Sequence, residues 1–117
     1  MTRGVALLLL CTLASAWQGS PPRYLLLAGP ASLVARQQQW LQADSLGVAE
    51  RDLQIEVVGV HQPWFNRYRL DTARFTAVLI GKDGGEKFRS NEPVRPAQLF
   101  AIIDAMPMRQ AELRKKN

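Results

Sequence analysis

From Tyr24 to Ala28 the chain reads Tyr-Leu-Leu-Leu-Ala with no charged interruption and is then stopped by Gly29-Pro30. An apolar run of that length between turn residues predicts a strand buried on both faces of a sheet. The segment from Ala31 to about Leu46 has no glycine or proline and repeats Leu33, Val34, Gln37, Trp40 and Leu41 at helical spacing. One mainly apolar face of a helix follows, with Ser32 positioned to cap its start and Gly47 to end it. Leu53 to Val60 alternates and then turns apolar, predicting a second strand. Strand, helix and strand in so short a span form a βαβ unit, whose strands run parallel through a right-handed crossover.

Phe75 to Ile80 predicts a third strand, Gly81-Lys82-Asp83-Gly84-Gly85 a tight turn, and Glu86 to Ser90 a fourth strand closing a hairpin. Behind the turn from Pro93 to Pro96, Leu99, Ile102, Ile103 and Met106 recur at i, i+3, i+4 and i+7. That is an amphipathic helix with Pro96 at its first position. Pro107 then forces a kink or a restart, and Met108 to Lys115 continues as a short charged helix. The predicted order is β-α-β-β-β-α: an α/β domain of two or three layers on a mixed sheet of about four strands.

At 117 residues, 47% apolar and 21% charged, the chain has the size and make-up of one folded domain. Its first residues are set apart. Arg3 supplies a positive start, Val5 to Leu13 an apolar stretch and Ala14-Ser15-Ala16 a small-residue cleavage site, the layout of a secretory signal peptide. The expected organisation is a signal peptide over 1–16, a lead-in over 17–22, the domain over 23–114 and a basic tail over 115–117. Cleavage near Ala16 places the protein in the periplasm or outside the cell. Leu10 before Cys11 argues against lipidation, which wants a small residue there.

Cys11 is the only cysteine, so a chain cut after Ala16 carries no thiol, disulfide or thiolate metal site. The net charge of +5 falls by one with Arg3, and Arg114, Lys115 and Lys116 hold much of the remainder. This basic end is either a solvated tail or a weak contact for anionic surfaces; an exported chain makes nucleic acid an unexpected partner.

The sequence offers no catalytic centre, metal site or cofactor motif. His61 is the only histidine, which excludes a multi-histidine metal site, and neither Ser32, Ser45 nor Ser90 sits on a nucleophile elbow. His61 is expected to end the second strand. Glu50-Arg51-Asp52 reads as a solvated turn. Gly81 to Gly85 lacks phosphate-loop spacing and leads into a strand, and Asp83 with Glu86 is too little for a calcium loop.

Phe75 to Lys87, Phe-Thr-Ala-Val-Leu-Ile-Gly-Lys-Asp-Gly-Gly-Glu-Lys, and Ile103 to Gln110, Ile-Asp-Ala-Met-Pro-Met-Arg-Gln, resemble the family catalogued as domain of unknown function 4174, DUF4174. The resemblance extends over roughly residues 23 to 114. It is shared with the C-terminal domain of sushi-repeat-containing secreted proteins and with repeats of a coiled-coil-containing matrix protein. It implies a thioredoxin-like fold in an exported protein and no established reaction. The redox cysteines of a thioredoxin would fall at Gly29-Pro30-Ala31-Ser32, which has no sulfur, and Ala73-Arg74 replaces the proline before the third strand. Thiol–disulfide exchange and cysteine peroxidase chemistry are therefore not expected of the mature chain.

Two functional classes remain. The connection from His61 to Arg74 carries Trp64, Phe65, Arg67, Tyr68, Arg69 and Arg74; tryptophan, tyrosine and arginine are the residue types that dominate binding hot spots. These aromatics either meet a partner in the envelope or extracellular space, making the protein an adaptor, or cover the end of the core. The alternative is an enzyme or small-anion binder using backbone N–H groups at Gly29, Ala31 and Ser32, where the first helix starts. Met106 and Met108 fit either a core or an adaptable binding face.

Overall fold

The computed structural model describes residues 20–116; the expected signal peptide over 1–16 and residues 17–19 of the lead-in lie outside them. Four strands, β1 (Arg23–Ala28), β2 (Leu53–Val57), β3 (Thr76–Ile80) and β4 (Glu86–Ser90), form one mixed sheet in the order β2-β1-β3-β4. β1 runs parallel to β2 and antiparallel to β3, and β3 runs antiparallel to β4. The expected α/β architecture is therefore present. Five helices are described: α1 (Ala31–Gln42), α2 (Ser45–Glu50), α3 (Pro63–Arg67), α4 (Pro96–Asp104) and α5 (Pro107–Lys116).

β1 and β3 are central, which is why their sequences are apolar throughout: consecutive side chains enter different cores. Leu25, Leu27, Ala77 and Leu79 point to the face covered by α1 and α4, where they meet Val34, Leu41, Leu99 and Ile103. Leu26, Ala28, Val78 and Ile80 point to the other face, under Val58, Leu70, Tyr24, Trp64, Phe65 and Tyr68. Gln37 is fully buried in the helical face. Its amide donates to the Val94 carbonyl at 2.9 Å and accepts from the Val94 N–H at 2.7 Å, clamping the turn before α4 onto α1. That reciprocal pair satisfies two backbone groups that burial would otherwise leave unpaired.

Several boundaries differ from expectation for identifiable reasons. The first helix stops at Gln42 and a separate α2 follows, so Gly47 lies inside a helix instead of ending one. A β-carbon at Gly47 would stand 2.6 Å from Cε2 of Phe100 on α4, so a larger residue there would require that ring to shift. Ser32 is no cap: Pro30 occupies that position and α1 has no side-chain cap. The second strand ends at Val57, since the Gly59 N–H is taken by the Gln62 side chain at 2.8 Å and the chain turns. α4 ends at Asp104, short of Met106, and Pro107 begins α5. Arg114, Lys115 and Lys116 form the last turn of α5, where cations meet the negative end of the helix dipole.

Candidate functional site

The connection from His61 to Arg74 is not one open loop. Pro63 starts α3, and Arg69 ends it with a φ of 53°. The last turn of α3 is closed by the N–H groups of Tyr68, Arg69 and Leu70, and Arg89 on β4 donates to the carbonyls of Tyr68 and Arg69 just beyond it. This role for Arg89 has no signature in the sequence, because it pairs residues twenty positions apart across the sheet face. Trp64 meets Tyr24 edge-on, with ring centroids 4.9 Å apart, and the Tyr68 hydroxyl donates to the Gly84 carbonyl at 2.9 Å. The aromatic residues thus cover the second core and also fasten α3 to the hairpin turn.

The segment exposes three arginines against one acid, Asp71. Arg67, Arg69 and Arg74 are exposed, and the Arg67 guanidinium stands 5.3 Å from the Tyr68 ring centroid. Tyr24, Trp64, Arg67 and Tyr68 line a shallow groove of about 290 Å3 with Pro22 and Gly84, at the hairpin end of the sheet. Arg74 lies at the opposite end, where its carbonyl packs under Gly29. The five candidate residues Trp64, Arg67, Tyr68, Arg69 and Arg74 therefore divide: the first three share the groove, Arg69 sits at the end of α3, and Arg74 is apart from it. His61 is exposed in the turn before α3.

The other candidate, Gly29 with Ala31 and Ser32, stands at the start of α1. Gly29 has a φ of 119°, and a β-carbon on it would lie 2.6 Å from the Arg74 carbonyl oxygen and from Phe75 Cα. Only glycine fits both the conformation and the contact. The Pro30 carbonyl accepts from Leu33 and Val34, while Ala31 and Ser32 are exposed. A further groove of about 500 Å3 runs between α1, α2 and the β2 edge, lined by uncharged residues such as Gln38, Gln42, Val48 and Ile55.

The densest chemistry surrounds the expected turn into β2, where Glu50 and Asp52 are exposed but paired. Arg51, partly buried, makes a two-pronged pair with Asp104 at 2.9 and 3.0 Å and stacks 4.2 Å over Phe100. Arg109, only 2% exposed, donates to Asp104 at 3.0 Å and to Glu50 at 3.1 Å. Arg23, 1% exposed, grips Glu112 through both terminal nitrogens at 2.9 and 3.3 Å and donates to the Arg51 carbonyl at 2.8 Å. Lys82 pairs with Asp52 at 2.8 Å and lies 3.6 Å from Glu112. The network joins β1, the α2–β2 turn, the hairpin, α4 and α5.

Its electrostatics follow from the pairing. Burial pushes the Glu112 carboxyl up, but the hydrogen bond from Arg23 and the charges of Arg23 and Lys82 outweigh it and hold the group below its ordinary range. The Arg51 hydrogen bond does the same for Asp104, against burial and with help from Arg109. For Arg109 burial pulls down, and the hydrogen bonds to Asp104 and Glu50 raise it beyond its ordinary value. These groups are ionised and mutually committed. Among the described residues no set of three or more His, Cys, Asp or Glu is arranged to hold a metal ion, and no helix is long and apolar enough to cross a membrane.

The fold and its surfaces define a mixed α/β domain with an aromatic-basic groove at one end. Residues 59–112 match the family model described as Domain of unknown function (DUF4174), which supports the DUF4174 family for this chain. The match covers α3, β3, β4, α4 and the first half of α5, and so includes both segments that carry the resemblance. No curated protein and no solved structure matches the chain significantly.

Proposed function

We propose that this chain is an exported, thioredoxin-like binding or adaptor module without catalysis of its own. The observation that carries the reading is the combination of strand order and missing sulfur. The order β2-β1-β3-β4, with its one parallel pair, is the arrangement expected of a minimal thioredoxin-like sheet. The position where such a domain keeps its redox pair reads Gly29-Pro30-Ala31-Ser32. A scaffold that retains the fold but lacks its reactive group is left with recognition, since function resides in the site and not in the architecture. Export is supported by the order of Arg3, the apolar stretch from Val5 and Ala14-Ser15-Ala16.

The groove of Tyr24, Trp64, Arg67 and Tyr68 is the surface we assign to the partner. Aromatic rings held by the core lose little conformational freedom on binding, and an exposed guanidinium beside them favours an acidic or carbonyl-rich protein segment. Chemical cross-linking of the full-length protein in its native envelope, with mass spectrometry of its N-terminus and its partners, tests both halves. The expected result is a mature start at Trp17 and one dominant partner linked near residues 64–69, lost when Arg67 and Arg69 are both replaced by alanine. An intact Met1 removes the export claim. Cross-links that survive the double replacement remove the adaptor surface.

A further inference from the structure

α5 is an unusual helix for a small domain because the side chain it buries is charged: Arg109 is its only buried residue. An amphipathic helix is ordinarily held by an apolar stripe, whereas α5 is fixed by Arg109 against Glu50 and Asp104 and by Glu112 against Arg23 and Lys82. Viewed from Glu112, the arrangement is a cage. Arg23 donates two hydrogen bonds to its carboxylate, Lys82 stands at 3.6 Å, and Arg109 of the preceding turn at 3.5 Å. These cations are almost fully buried while Glu112 remains 30% exposed. They come from β1, the hairpin and α5.

Two further observations concern this cage. Arg23 Nε is buried and has no hydrogen-bond partner among the described residues. A guanidinium can also bind a carboxylate side-on through Nε and one terminal nitrogen, so Glu112, which takes the two terminal nitrogens, leaves a donor over. A cavity of about 260 Å3 reaches the cage from outside, lined by Arg23, Lys82, Lys87, Met106 and Met108. It is mainly apolar apart from the cations at its inner end and the Lys87–Asp83 pair at 2.8 Å.

We infer that Arg23, Lys82 and Arg109 form a carboxylate-binding site that the chain fills with its own Glu112, so that the Glu112 side chain is a removable plug while the rest of α5 stays in place as one wall of the site. The ligand chemistry that fits is a carboxylate attached to a small apolar body. The carboxylate would take the Arg23 fork, and the body would lie against Met106 and Met108. Asp52, bound to Lys82, and Asp104 and Glu50, bound to Arg109, keep the remaining cation faces occupied, so the Arg23 side is the part open to exchange.

Removing the plug tests this. In Glu112→Ala the vacated cage is expected to accept acetate: the melting temperature rises saturably with acetate, by at least twice the rise produced by chloride at equal ionic strength. A response to acetate no larger than that to chloride overturns the site. Hydrogen exchange of Glu112→Gln, which keeps the shape of the side chain, gives a second readout if the alanine variant does not fold. Amides over 108–116 are expected to exchange at least tenfold faster than in the parent, while those of β1 and β3 keep their protection. Loosening of β1 and β3 to the same degree as α5 overturns the plug.

Discussion

One face of the sheet is covered by α1 and α4, the other by α3 and the short segments flanking it. On the helical face, Leu25, Leu27, Ala77 and Leu79 interlock with residues at helical spacing, and Gln37 fixes the connecting turn. On the other face, Leu26, Val78 and Ile80 lie beneath Trp64, Phe65 and Tyr68, which are half-buried. The first cover also carries a ring and a guanidinium at its surface, Arg95 standing 3.8 Å over Trp40, apart from the core. In the second, the rings that close the core, Tyr24, Trp64 and Tyr68, themselves line a groove beside Arg67, and the proposed recognition surface lies there.

The contrast is sharpest at neighbouring residues of β1. Leu27 and Leu26 are both fully buried but face opposite covers. Leu27→Ala should cost about 4–5 kcal/mol, because two helices held by the Gln37 clamp cannot settle into the space. Leu26→Ala should cost about 2–3 kcal/mol, because a five-residue helix with flexible flanks can. Chemical denaturation of the two variants measures the difference, and equal losses would mean that the covers are equally rigid.

Acid acts on the ionic end of the molecule. Asp104 and Glu112 are held below their ordinary ranges in the folded state, so each contributes stability that is present above its unfolded value. That stability is lost as pH falls through the lowered folded value. Thermal unfolding should therefore be level from neutral pH to about pH 5 and decline below about pH 4, with a shallower decline in Glu112→Gln. An identical pH profile for parent and variant would show that Glu112 does not carry the effect. The smallest expected change is Arg67→Ala, whose exposed side chain should alter stability by no more than about 0.5 kcal/mol; a larger loss in denaturation would make Arg67 part of the structure and not of the surface.

The sequence made the helical face legible and the rest much less so. Leu33, Val34, Leu41, Leu99 and Ile103 recur at a fixed period, and the turn at Gly81 to Gly85 marks its hairpin. Periodicity does not report pairings across the chain. Arg23 and Glu112 are 89 residues apart, and Arg51 and Asp104 are 53 apart, so a charge that is buried looks the same in sequence as one that is solvated. Glu50-Arg51-Asp52 leads through a turn into β2 with Glu50 and Asp52 exposed, as its residue types indicate, but its pairings with Arg109, Asp104 and Lys82 are not legible in one sequence. Gly47 was misplaced because a glycine that admits a neighbouring ring is indistinguishable, in one sequence, from one that ends a helix. Of the candidate site, the residue types were legible, but their separation was not: Arg74 lies at one end of the sheet and Trp64, Arg67 and Tyr68 at the other.

Site-specific photo-cross-linking compares the two faces directly. A photoreactive residue in place of Arg67, beside the aromatic groove, should label one dominant envelope or extracellular protein, and the same residue in place of Arg36, on the exposed side of α1, should not. Equal labelling from both positions, or none from position 67, would contradict the assignment of the aromatic-basic face to a partner.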